Sequence, residues 1–326
     1  MKQINKALLT LLLLPALIAE LLGGSAPPFE FFNPMAFIFW ILLYGCGTLL
    51  IRELRVRWNM QWSILFLAIA YGVIEEGLTT KAMFNINWMD VGVYANYGHF
   101  FGILIPWSIV LLTYHVAVST LLPILIVDLT WPELKNQPLL KKSGMIFSSL
   151  GLILTVLLGL RFMGTRVGQE TIPYFPNPII IIGSILIVTL LISLGYVFRN
   201  LKIVSKNEIF KPRTFTILSF LFIILFTIIP HNLAKNNINI ILLVAYQLLI
   251  IFLALIFTYK QILNINVTKE HKVGIVFGII LYFSIIAFFL ELLGYLAMSL
   301  IGIISIIILV KWKKKIITKS FKTNKI

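Results

Sequence analysis

Ile240-Ile241-Leu242-Leu243-Val244-Ala245-Tyr246-Gln247-Leu248-Leu249-Ile250-Ile251-Phe252-Leu253-Ala254-Leu255-Ile256-Phe257 runs for eighteen positions without a charged side chain. With its flanks (237–258) it meets the need of a helix crossing the hydrocarbon core, about 20 mostly apolar residues. Similar runs lie at 7–23, 35–51, 62–80, 101–128, 145–162, 178–198, 214–230, 273–291 and 294–311. The last two are separated by little more than Gly294, and the fourth is long enough to be tilted or broken near Pro106 or Pro123. The expected fold is therefore all-α, a polytopic transmembrane bundle of about ten spans.

Composition agrees. The 326 residues are 60% hydrophobic and 12% charged, with mean hydropathy +0.99. A soluble domain carries roughly a quarter charged residues, so the outer surface here must face the lipid bilayer. The net charge of +15 does not point to nucleic acid, because the basic residues sit in short clusters between apolar runs. The single cysteine, Cys46, excludes an intrachain disulfide.

Orientation follows from lysine and arginine, which favour cytoplasmic loops. With the N-terminus inside, 23 of the 27 basic residues fall inside, leaving Lys81, Arg161, Arg166 and Lys235 outside. Both termini are thus expected in the cytoplasm of a multi-pass cell-membrane protein. Lys2 and Lys6 before the first run resemble a secretory leader. Glu20 within the run, and Pro27-Pro28 after the cleavage-like Gly24-Ser25-Ala26, favour retention of that span. The tail from Lys311 to Lys325 reads as an inside anchor. It can also attract anionic lipid headgroups, at roughly 1 kcal/mol per lysine.

Polar residues are uneven along the chain. Residues 1–142 hold 8 of the 12 acids and six of the seven tryptophans, together with His99 and His115. The expected division is a polar-residue-bearing bundle at 1–142 and an apolar scaffold at 143–326, within one membrane domain. The most informative segment is Tyr71-Gly72-Val73-Ile74-Glu75-Glu76-Gly77-Leu78-Thr79-Thr80-Lys81. Each carboxylate costs several kcal/mol in hydrocarbon unless protonated, paired or wet. Adjacent helical residues point about 100° apart, so at least one acid must face a polar interior. Glu75 aligns with Tyr71 and Thr79, and Glu76 with Thr80, at i,i+4 spacing.

The next span offers partners: His99 at its outer mouth and His115 near mid-bilayer, with Ser119 one turn on. Glutamate and histidine on neighbouring membrane helices can activate water, relay protons or bind a metal. The candidate catalytic residues are Glu75, Glu76, His99 and His115. The plain alternatives are ion pairs of the acids with Lys81, Arg161 or Arg166, interhelical hydrogen bonding by His115 and Ser119, and loop positions for His231 and His271. No cofactor is named by the sequence, which lacks a GxGxxG, a Walker-type loop, HExxH or paired CxxC, and no close ligand spacing identifies a metal. Oligomeric state is likewise left open. Two lysine-poor outer loops, Ser25–Pro34 and Asn85–Gly98, the second carrying Trp88, Tyr94, Asn96 and Tyr97, are expected to roof a cavity over the acids.

Glu75-Glu76 on a membrane helix, followed by histidines in later segments, resembles the CAAX protease and bacteriocin-processing family of intramembrane peptidases. That resemblance implies a glutamate and two histidines activating water to cut a peptide bond, assisted by an asparagine. Lys81 stands one position past the family's arginine. Leu111 and Ala95 stand where its phenylalanine precedes histidine, and Ser119 and Lys235 where its asparagine follows. A second resemblance is to a group of bacterial and archaeal multispanning proteins without assigned activity. It rests on Glu20-Leu21-Leu22-Gly23-Gly24-Ser25, Pro27-Pro28, Arg52-Glu53, Glu75-Glu76-Gly77-Leu78, Trp88, and His115 with Ser119, and spans roughly residues 15–140. Three functions are compatible: a glutamate/histidine hydrolase of peptidase type, a proton- or cation-coupled permease, and a non-catalytic or immunity-type membrane partner.

Overall fold

A computed structural model describes residues 2–95, 97–167 and 170–323. All ten apolar runs are helical. Eight are long and apolar enough to cross a membrane: α1 (Lys2–Leu22), α2 (Pro34–Arg57), α4 (Ile105–Thr130), α5 (Lys142–Phe162), α6 (Pro178–Asn200), α7 (Pro212–Lys235), α8 (Ile240–Ile262) and α9 (Lys269–Leu292). The expected third and tenth spans depart from that pattern. The third, α3 (residues 64–79), has ten α-helical residues and a six-residue π turn. At 1.5 Å per residue it rises about 24 Å, short of a core roughly 30 Å thick. The tenth, α10 (Met298–Thr323), carries Lys311, Lys313, Lys314 and Lys315 in its second half.

Buried, non-helical backbone makes up the length that α3 lacks. Residues 81–85 are almost wholly enclosed, and Trp88, Val91 and Tyr94 pack with Leu104, Trp107 and Leu111 of the next pass. Irregular backbone survives at membrane depth only where protein surrounds it. At Lys81, φ is 62°, and its ammonium donates to the carbonyls of Gly159, Leu160 and Met163 at 2.8, 3.1 and 2.7 Å. Those carbonyls lie at the end of α5, where helix carbonyls run out of intrahelical donors; Gly159 O also accepts from Met163 N. A short hairpin, β1 (His99–Phe100) with β2 (Ile103–Leu104), leads into α4. A second, β3 (Gly164–Val167) with β4 (Glu170–Pro173), joins α5 to α6.

The fourth run is interrupted near Pro106, which opens α4 after the strand Ile103–Leu104, and continues as helix through Pro123, which follows a π turn at His115–Leu121. Pro123 cannot donate to the carbonyl four residues back, that of Ser119. Thr48 Oγ1 of α2 donates to it instead, at 3.1 Å.

The start of α1 and the second half of α10 lie at one end of the bundle. Ala7 packs with Leu134 and Leu139, and Trp312 Nε1 donates to Thr130 at the end of α4. At this face Arg52 donates to Glu53 (2.8 Å), to Gln137 O (2.7 Å) and to Leu134 O, while Leu139 N donates to Glu53 at 2.8 Å. Arg55 grips Asp128 with two bonds of 2.6 and 3.0 Å. These charges fold the α4–α5 loop against α2.

The long passes of the second half are mostly exposed to the surrounding lipid, except α9. That helix packs between α7 and α10 and sends Val276 and Phe283 into the same core as Ile18, Leu22 and Val118. The expected loop positions of His231 and His271 are both corrected. His231 lies within α7. His271 is buried in the first turn of α9, where it caps the helix through Thr268 and bonds Phe210 O.

Candidate functional site

The polar residues converge where four helices each contain a π turn: Leu17–Leu22 in α1, Ile41–Gly45 in α2, Ile74–Thr79 in α3 and His115–Leu121 in α4. A π turn closes i→i+5 bonds, so it holds more residues per turn and rotates less per residue than an α-helix; such turns are rare and gather at functional sites. Here the consequence is direct. Glu75 and Glu76 both face one centre, whereas α-helical spacing secures that for only one of them. A threonine supports the turn: Thr79 Oγ1 donates to Ile74 O at 2.9 Å.

Close approach of helices does the rest. A Cβ on Gly72 of α3 would stand 3.1 Å from Leu112 and 3.5 Å from the His115 Cβ, and one on Gly47 of α2 would meet the Tyr71 ring at 2.1 Å. Small residues at such crossings let membrane helices pack backbone to backbone.

In the centre, His115 lies between the two acids. Its Nε2 is 2.6 Å from Glu76 Oε1, and Thr80 Oγ1 donates to the other oxygen of Glu76 at 2.8 Å. Its Nδ1 is 3.0 Å from Ser119 Oγ and 3.0 Å from Glu75 Oε2. The Glu75 contact lacks hydrogen-bond alignment, and neither oxygen of Glu75 has a hydrogen-bond partner among the described residues. Glu75 is 0% exposed, Glu76 6% and His115 2%. The His115 ring stacks on Tyr44 with centroids 6.1 Å apart and meets Tyr114 edge-on at 5.4 Å.

A third acid adjoins this centre. Glu20 of α1 is buried and accepts from the hydroxyl of Tyr44, whose ring stacks on His115. As an acid in an apolar run, Glu20 is visible in the sequence, but nothing there says it points to the same centre. Tyr44 carries no sequence signal at all.

The alternative pairings of the two acids do not occur: Lys81 is spent on the end of α5, Arg166 pairs with Glu30, and Arg161 lies against Phe162. His99 lies on the exposed hairpin, and the structure does not bring it to the carboxylates. Trp88 and Tyr94 of the expected roof are buried in the plug beside α4, and Asn96 lies outside the described residues.

One imidazole nitrogen and one oxygen from each of Glu75 and Glu76 lie within 4.8 Å of one another, so these residues can take a proton or a cation between them. A family model described as "Uncharacterized membrane protein family" matches residues 8–312. No curated protein and no solved structure matches. The match agrees with the second of the two resemblances in the sequence and lends no support to the peptidase likeness.

Proposed function

Taking as premise that the chain belongs to this uncharacterized membrane protein family, we propose that it is a membrane-embedded hydrolase working through Glu75, Glu76 and His115. One observation carries this reading: a fully buried carboxylate, Glu75, accepts no aligned hydrogen bond at either oxygen and lies 3.0 Å from an imidazole that Glu76 holds from its far side. A general base needs a free oxygen within reach of the water it deprotonates. Glu75 supplies it. Glu76 orients the ring and stabilises its charged form, His115 donates to the oxyanion as it develops, and Glu75 returns the proton taken from water to the leaving oxygen or nitrogen as the acyl bond breaks. The working bundle is residues 1–142, with residues 143–326 as the surrounding wall. The substrate class is an ester, amide or peptide bond carried by a membrane-borne molecule.

The test uses purified protein in vesicles holding such substrates, in water enriched in oxygen-18. Turnover places the label in the new carboxyl group, and Glu75→Gln abolishes it. Unchanged turnover in both Glu75→Gln and His115→Asn sinks the assignment.

A second reading is favoured by the closure of the site: the same acids serve as the proton or cation station of a permease. In that case vesicles show ion flux without labelled product, and Glu76→Gln stops the flux.

A further inference from the structure

We propose that Glu75, Glu76 and His115 hold a divalent transition cation. The inference names a cofactor for the same site, and it rests on the reading that these three residues form one working centre.

Two independent observations support it. The first is the donor set: one imidazole nitrogen and two carboxylate oxygens, from two helices, within 4.8 Å of one another. An ion with bonds of about 2.0–2.2 Å to carboxylate oxygen and imidazole nitrogen bridges such a span after small side-chain rotations. The second is the state of Glu75. It is wholly enclosed, neither oxygen is hydrogen-bonded, and its one charge contact is His115 Nδ1 at 3.0 Å, itself one of the three donors. Buried charges are paired or bind metals. Among the described residues no lysine or arginine forms an ion pair with either acid of the centre; Lys81 and Arg166 are engaged elsewhere.

Charge selects the ion. Two carboxylates match a divalent cation, and imidazole in its neutral form adds a nitrogen donor; with an ion bound, the ion and not a charged His115 would stabilise the oxyanion. Mixed nitrogen and oxygen ligation suits zinc, manganese or iron(II) better than calcium or magnesium, which take oxygen. The surroundings support the ligands in the way second-shell groups usually do. Thr80 donates to the Glu76 oxygen that does not face the ring, and Tyr44 and Tyr114 fix the plane of His115.

The experiment is elemental analysis of the full chain, purified in detergent without a histidine tag, before and after loading with Zn2+ or Mn2+. One ion per chain is expected in the parent. X-ray absorption at the zinc edge should show a single imidazole among oxygen ligands. Glu75→Gln and His115→Ala should each reduce the content to background while eluting as monodisperse protein. Because those variants can fail to fold, the parent decides the matter: folded, monodisperse parent that takes up neither ion overturns the proposal. So does an ion retained in full by both variants. Metal uptake without hydrolysis removes the hydrolase reading and leaves the site. Hydrolysis by metal-free protein, indifferent to chelator, does the reverse.

Discussion

At Glu76 the two oxygens are satisfied by different helices, one by His115 of α4 at 2.6 Å and one by Thr80 at 2.8 Å. Removing either partner leaves a buried carboxylate oxygen bare, which costs about 1–3 kcal/mol and more if the group is charged. Thr80→Val should therefore lower the thermal unfolding temperature of the detergent-solubilised protein, and Thr80→Ser should restore it. A loss of equal size in both variants points to the missing methyl instead. Tyr44→Phe makes a parallel case, since it strips the donor from buried Glu20. The Tyr44 ring also stacks on His115, so the two lesions share a neighbour and should not add simply. Glu75, Glu76 and His115 are legible in the sequence because ionisable groups are rare in apolar runs and expensive there. His99 is not separable from them on that ground. Only the hairpin geometry, which turns it outward, sets it apart.

At the scale of elements, the apolar runs give the helices and even their order, but not the π turns. A π turn changes the hydrogen-bonding partner by one residue and leaves hydrophobicity untouched, so the pattern of apolar residues does not register it. The shortness of α3 is hidden because the run from 62 to 80 is apolar enough to read as a full span, and Lys81 after it reads as the end of that span, not as the start of a buried plug. Helix crossings around the site are testable through two glycines. A Cβ on Gly159 of α5 would stand 2.4 Å from Thr79 Cγ2 and 2.7 Å from the Thr79 carbonyl, directly against the π turn of α3, whereas one on Gly183 of α6 meets nothing within 4 Å. Gly159→Ala forces backbone apart, an overpacking cost of about 1–3 kcal/mol, and shifts the turn that carries Glu75 and Glu76. Gly183→Ala should be neutral or gain about 0.5–1 kcal/mol of helix stability. Thermal unfolding of the two variants checks the contrast, and equal behaviour contradicts the α3–α5 crossing.

For the molecule as a whole, the question is whether the two atypical passes cross. We propose that both termini are cytoplasmic, on the ground that 23 of 27 basic residues fall on the side of the chain ends when α3 and α10 are counted as crossings. Two of the four residues on the far side are engaged in structure, Lys81 on the end of α5 and Arg166 with Glu30, so they add little to the field that directs insertion. If α10 lay flat or turned back, its lysines would stay near Met298, beside Gly24 at the far end of α1. The Trp312–Thr130 bond instead carries the chain back to the face of Lys2. Compartment reporters fused after Asn200 and after Lys315 should therefore both read cytoplasmic, and one after Asn33 external. A reversal of all three inverts the protein and contradicts the positive-inside argument alone. An external signal at Lys315, with Asn200 still inside, means that α10 does not cross, and it removes the packing of α10 along α9 with it.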